Sequence, residues 1–157
     1  MSSNLKLDQI DRKVLEILQS NAKITNAQLS KEIGLSPAPT LERVKKLEQG
    51  GIIKSYHAQL DPAKVGLGVT TFVQISLTGH KKVTTDSFVA TVNTIPEIIE
   101  CHHITGTGDF LLKVISQDIS SYQKLMLETI NEIEEVANTT TMVIMSTFKD
   151  SKILPIP

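Results

Sequence analysis

Residues 25–50 read TNAQLSKEIGLSPAPTLERVKKLEQG, and this stretch decides the architecture of the N-terminal lobe. Thr25 stands three residues before Gln28, the spacing of a capping box in which the two side chains satisfy the first orphan N–H groups of a helix. Ala27, Leu29 and Ile33 supply that helix's apolar positions and Gly34 stops it. Ser36 caps again, Pro37 takes the first helical position, where its missing N–H costs nothing, and Leu41, Val44 and Leu47 form the predicted apolar stripe of a further helix ended by Gly50 and Gly51. The Gly34-Leu35-Ser36 turn is short enough to hold one helix across the other, as a helix-turn-helix requires. Upstream, Asp8 predicts an N-cap, and Ile10, Val14, Ile17 and Leu18 recur on one face of a helix over 8–20. Downstream, the β-rich, partly alternating residues 52–60 predict a strand pair or wing.

Turn residues crowd 61–68, the predicted linker, and beyond it the periodicity switches to two. Thr71, Val73, Ile75 and Leu77 alternate with Thr70, Phe72, Gln74 and Ser76 in a strand over 69–78. Phe88, Val89, Val92 and Ile95 mark a helix closed by Pro96, and strands are predicted over 97–105 and 109–116 around Gly106-Thr107-Gly108. A helix over 118–134, with Tyr122, Leu125, Met126, Ile130 and Ile133 inward, precedes a Thr-rich strand over 136–148. The expected fold is therefore α+β: an N-terminal winged helix-turn-helix over 1–60, a linker over 61–68 and a C-terminal ferredoxin-like βαββαβ domain over 69–157. Helices cover one face of such a sheet, yet Phe72, Ile99, Cys101, Met142 and Ile144 leave apolar residues for both. A second copy is the simplest cover for the open face.

The chain has 157 residues, 40% hydrophobic and 21% charged, so it can bury a core, and its single cysteine excludes an internal disulfide framework. No apolar run approaches a membrane span, and the N-terminus MSSNLKLDQIDRK lacks a signal-peptide core, so a soluble, cytoplasmic protein without a membrane partner is expected. The net charge of -1 hides an asymmetry: residues 1–60 carry 9 Lys+Arg and 6 Asp+Glu, residues 61–157 carry 7 and 11. A basic N-terminal lobe is a mild pointer to nucleic acid and equally fits a solvated surface.

With Leu41, Val44 and Leu47 inward, about 100° per residue places Ala38, Pro39, Glu42 and Lys46 outward and Arg43 on the flank. Together with Ser36 and Thr40 these are the candidate contacts to double-stranded DNA. Arg43 can fork onto guanine or phosphate, Lys46 can meet a phosphate, Glu42 can accept from cytosine N4, and Ser36 opens a helix N-terminus that can offer N–H groups to a phosphate. The alternative is a solvated helix face. Gly106, Thr107 and Gly108 can cradle an anion through backbone N–H groups or simply turn the chain, Asp109 can pair with an ammonium, and Thr139 and Thr141 can offer hydroxyls or serve as ordinary strand formers. Cys101-His102-His103 lies in a strand, where neighbours point to opposite faces and do not converge on a metal. No metal, cofactor or catalytic constellation is expected.

Taken in order, the segments Leu7-Asp8-Gln9-Ile10-Asp11-Arg12-Lys13-Val14-Leu15, Leu18 to Lys23, Gly34-Leu35-Ser36 with Arg43 to Glu48, Gly50-Gly51-Ile52-Ile53, and Thr105-Gly106-Thr107-Gly108-Asp109-Phe110-Leu111-Leu112 resemble the Lrp/AsnC, or feast/famine, transcription regulators. The resemblance spans nearly the whole chain. It implies a sequence-specific DNA-binding regulator that is not an enzyme, dimerises through its sheets, assembles further to octamers and binds a small amino-acid effector where dimers meet. Glu42 stands where members often carry a basic residue, and Phe110 where many have tyrosine. Two rival readings remain at this stage: an effector-independent, chromatin-like DNA organiser, and an amino-acid-metabolising enzyme carrying a DNA-binding lobe.

Overall fold

A computed structural model describes residues 6–157; the first five residues of the expected 1–60 lobe lie outside it. The chain divides into two compact units, Met1–Gln59 with Lys149–Pro157, and Leu60–Phe148.

In the first unit α1 spans Gln9–Ser20, α2 Asn26–Ile33 and α3 Pro37–Gln49. Of the three predicted N-caps, Asp8 and Thr25 form reciprocal capping boxes, with Asp11 and Gln28, while the Ser36 side chain makes no capping bond. Gly34 ends α2 at φ 74°, in the left-handed region that glycine enters without strain. Val14, Leu15, Leu29, Ile33 and Leu47 make the core of this unit, with Val44 and Ile53 packed against it. The phase of α3 differs from the expected one. Thr40, not Leu41, is fully buried, while Leu41 is 42% exposed. The Thr40 hydroxyl is satisfied locally by donating to the Ser36 carbonyl, 2.9 Å, so a threonine serves as a core residue.

The expected strand pair in 52–60 does not form. The N–H groups of Ile52 and Ile53 both bond the Leu47 carbonyl, at 3.0 and 3.1 Å, and close the end of α3 instead of entering a ladder. The C-terminal residues Lys149–Pro157 belong with this unit rather than with the expected 69–157 domain. Gln19 clasps Leu154 in both directions, donating from Nε2 to its carbonyl at 3.1 Å and accepting its N–H at 2.7 Å. Ile156 packs on the helical core.

The second unit takes in the expected linker, where Ala63–Val65 form a 3-10 turn. Then follow β1 Val69–Leu77, α4 Lys82–Val92, β2 Ile98–His103, β3 Phe110–Ser116, α5 Ile119–Leu125 continued by a π-helical turn Met126–Ile130, and β4 Val136–Val143. The sheet order is β2-β3-β1-β4 with every pair antiparallel, the ferredoxin-like arrangement. Strand β4 stops short of the expected 148: after Ile144 donates to Thr70 O, Met145 and Phe148 are 91% and 98% exposed. Val73, Ile75, Leu77, Phe110, Leu112 and Val114 face the helices and pack with Phe88, Val92, Tyr122, Met126 and Ile130. The other face carries Phe72, Leu111, Ile115 and Met142, half-buried or exposed. Cys101 packs against the helix-side core instead, and that burial pushes its thiol pKa up.

Candidate functional site

The outward face of α3 is set by what the core takes. With Thr40, Val44 and Leu47 turned in, the opposite side presents Ala38, Leu41, Glu42 and Lys45, all exposed, with Pro39 and Lys46 exposed beside them. Glu42 and Lys45 pair across one turn, Nζ to Oε1 3.2 Å, with side chains 72% and 50% exposed. Thr40, expected among the DNA contacts, is sealed in the core.

Arg43 also departs from its expected role. Its Nη1 lies 2.7 Å from Asp8 Oδ2 and 2.7 Å from Asp11 Oδ1. The guanidinium ties α3 to the capping box of α1, and Asp11 is only 4% exposed. The Asp11 N–H and then Arg43 hold the Asp8 carboxyl below its ordinary range, while the two carboxylates raise the Arg43 pKa further. Arg43 is thus held against α1 through Nη1, with its side chain 30% exposed. Ser36 is exposed and its side chain makes no capping bond. The N-terminus of α3 offers fewer donors than expected: Pro37 and Pro39 have no N–H, and Thr40 N bonds Ser36 O, leaving Ala38 as the donor of the first turn.

In the second unit the glycine loop closes over the side chain of Gln74. A Cβ on Gly108 would stand 2.4 Å from Gln74 Cγ and 2.8 Å from its Nε2, and Gly106 has φ 124°, so both positions need glycine. Gln74 Nε2 donates to Thr107 Oγ1 at 3.1 Å. Among the described residues, the N–H groups of Gly106, Thr107 and Gly108 have no protein acceptor. Asp109 anchors the loop: Oδ2 accepts the Leu77 N–H at 2.7 Å, beside the register shift between β1 and β4, and Oδ1 lies 3.3 Å from His80 Nδ1.

The expected threonines are not brought to the loop. Thr139 and Thr141 pair with Ile75 and Val73 and so face the helices, where Thr141 shares a hydrogen bond with the Tyr122 hydroxyl and Thr139 reaches Asn131. Thr140, opposite Gln74, is the strand-4 threonine on the face that carries Thr107. His102 Nε2 and Lys113 Nζ both meet Glu100, each at 3.1 Å, and no group of three metal-ligating side chains occurs among the described residues.

The Lrp/AsnC ligand binding domain profile matches residues 70–154, and a winged helix-turn-helix DNA-binding profile matches residues 7–54. The chain belongs to the Lrp/AsnC family. It is 42% identical to the leucine-responsive regulatory protein of Salmonella typhimurium over 96% of this chain and 92% of that one. It is 36% identical to the transcriptional regulator AzlB of Bacillus subtilis, over 97% of each chain. Among solved structures, a transcriptional regulator of Neisseria meningitidis in complex with L-Met superposes with a TM-score of 0.91 at 34% identity, covering 96% of this chain and 97% of that one. An AsnC family regulator from Agrobacterium tumefaciens gives 0.89 at 35% identity, covering 95% and 97%.

As an Lrp/AsnC protein the chain is a DNA-binding transcriptional regulator rather than an enzyme. Among the described residues no helix is long and apolar enough to cross a membrane. Sequence reasoning passed over Leu41 and Lys45 on the outward face of α3. The available signal was Thr40, which shares the spacing of Val44 and Leu47 but does not look apolar. Gln74 left no local signal, because the fold alone brings it beneath the glycine loop, and strand pairing alone sets Thr140 opposite it.

Proposed function

We propose that this Lrp/AsnC regulator grips duplex DNA with the outward face of α3 and changes its DNA affinity when a small amino acid binds at the loop of Gly106, Thr107 and Gly108. The observation that carries the effector reading is this loop. Three consecutive N–H groups without a protein acceptor suit a carboxylate, and the Gln74–Thr107 pair places an amide and a hydroxyl beside them. The Neisseria relative solved with L-Met supports an amino acid as the ligand class. Asp109 is engaged by Leu77 and His80, so its role in this reading is to hold the loop while its charge remains close to the site.

On the DNA side, Ser36 and the Ala38 N–H suit a phosphate, Lys46 suits the backbone, and Ala38, Pro39 and Glu42 approach the major groove. The protein acts as a homodimer joined through the open sheet face, where Phe72, Leu111, Ile115 and Met142 are half-buried or exposed around Lys113, and such dimers assemble further. Fluorescence anisotropy on labelled duplex DNA, repeated across a panel of amino acids, tests the effector reading. At least one amino acid is expected to shift the midpoint, and no shift with any of them favours an effector-independent organiser. A monomer in sedimentation at micromolar concentration would overturn the dimer.

A further inference from the structure

The outward face of α3 carries a paired acid and base, and the pair has a counterpart on base edges. A carboxylate only accepts hydrogen bonds and is repelled by phosphates, so in the major groove its favourable partners are the amino groups of cytosine and adenine. An ammonium only donates, and guanine meets it with two acceptors, O6 and N7, where thymine offers O4 alone. Glu42 Oε1 and Lys45 Nζ lie 3.2 Å apart on one exposed helix face, so acceptor and donor stand side by side. An A·T pair also sets an amino donor beside one acceptor, thymine O4, but a C·G pair sets the cytosine amino donor beside guanine O6 with N7 as a second acceptor where thymine carries a methyl group. Arg43, the residue best suited to fork onto guanine, is drawn toward α1 by Asp8 and Asp11, each 2.7 Å from Nη1, whereas among the described residues Glu42 and Lys45 have no partner outside their own helix turn that would hold them back.

We infer that Glu42 and Lys45 act together as the specificity-determining pair of this helix and select a C·G base pair in each half-site, with Glu42 on cytosine N4 and Lys45 on guanine. The inference rests on the proposed docking of α3 in the major groove. Both side chains are exposed and make no core contact, so variants keep the fold.

The test is selection of duplexes from a randomised library by the full-length protein, with and without L-Met as a probe, followed by anisotropy titrations of the selected duplex and of single base-pair replacements. The wild type is expected to select one C·G pair per half-site and to lose roughly 5- to 100-fold in affinity when that pair becomes T·A. Glu42→Ala should flatten the preference at that position alone. Glu42→Gln, which is isosteric and can both donate and accept, should shift the preference toward adenine. Lys45→Ala should weaken guanine discrimination at the same base pair. A wild-type motif with no C·G pair, or Glu42 variants that select the unchanged motif, overturns the inference while leaving DNA binding intact. Failure of the wild type to bind any duplex overturns the docking and the inference together.

Discussion

Replacing Arg43 by alanine separates two roles that an arginine on α3 can play. If the side chain touched a base, the variant would keep its stability and lose about 1–3 kcal/mol of DNA affinity. The structure points elsewhere, because Nη1 sits 2.7 Å from carboxylate oxygens of both Asp8 and Asp11. The Asp11 side chain is 6% exposed, so removing Arg43 strands a buried carboxylate. Breaking a fully buried pair costs about 3–5 kcal/mol, and a hydrogen bond to a charged group contributes about 1.5–3 kcal/mol. Arg43 itself is 30% exposed, which lets water replace part of the lost interaction, and Asp8 at 51% adds little. The expected loss is about 2–3 kcal/mol in the stability of the helical unit.

Hydrogen exchange of the α1 and α3 amides in guanidinium should show it, and a double-mutant cycle with Asp11→Asn should return a coupling of about 1–3 kcal/mol. Acid carries a second signature. The folded pKa of Asp8 lies below its ordinary 3.8, so its contribution is present above 3.8 and is lost as pH falls through the folded value. Arg43→Ala should therefore flatten the loss of stability below pH 3.8. Unchanged exchange protection together with weakened DNA binding would refute the reasoning and return Arg43 to the groove.

Three further outcomes follow from other contacts. Gly108→Ala drives a Cβ to 2.4 Å from Gln74 Cγ and should destabilise the second unit by about 1–3 kcal/mol, with Gln74→Ala restoring much of it; equal denaturation midpoints for Gly108→Ala and wild type would contradict the close approach. Among the described residues Thr71 Oγ1 is buried without a hydrogen-bond partner, so the isosteric Thr71→Val should stabilise by about 1 kcal/mol, read as a higher Tm in calorimetry. Partial burial and then the Glu48 carboxylate at 2.9 Å push the Tyr56 hydroxyl up to about 12, so its stabilising contribution is complete below its ordinary 10 and is lost as pH rises through 12. An ultraviolet titration of tyrosinate should show this step moving down in Glu48→Gln.

Local chemistry was legible in the amino-acid order because it acts within a few residues. The caps at Asp8 and Thr25, the stop at Gly34, the proline opening of α3 and the two-residue alternation of β1 each depend on neighbours in the chain, and the helix and strand order follows from them. The direction of a long or ambivalent side chain depends on partners far away in sequence. Arg43 turns inward because Asp8 and Asp11, 35 and 32 residues earlier, meet it across the helix packing. Thr40 enters the core because its hydroxyl finds the Ser36 carbonyl, and Thr139 and Thr141 face the helices because the β1 register puts them opposite Ile75 and Val73. Residues 52–60 were rich enough in strand formers to predict a wing, but the carbonyl of Leu47 captured the N–H groups of Ile52 and Ile53. The tail shows the same dependence. The two hydrogen bonds exchanged by Gln19 and Leu154, across 135 residues, form only when tertiary structure returns the C-terminus to the first helix.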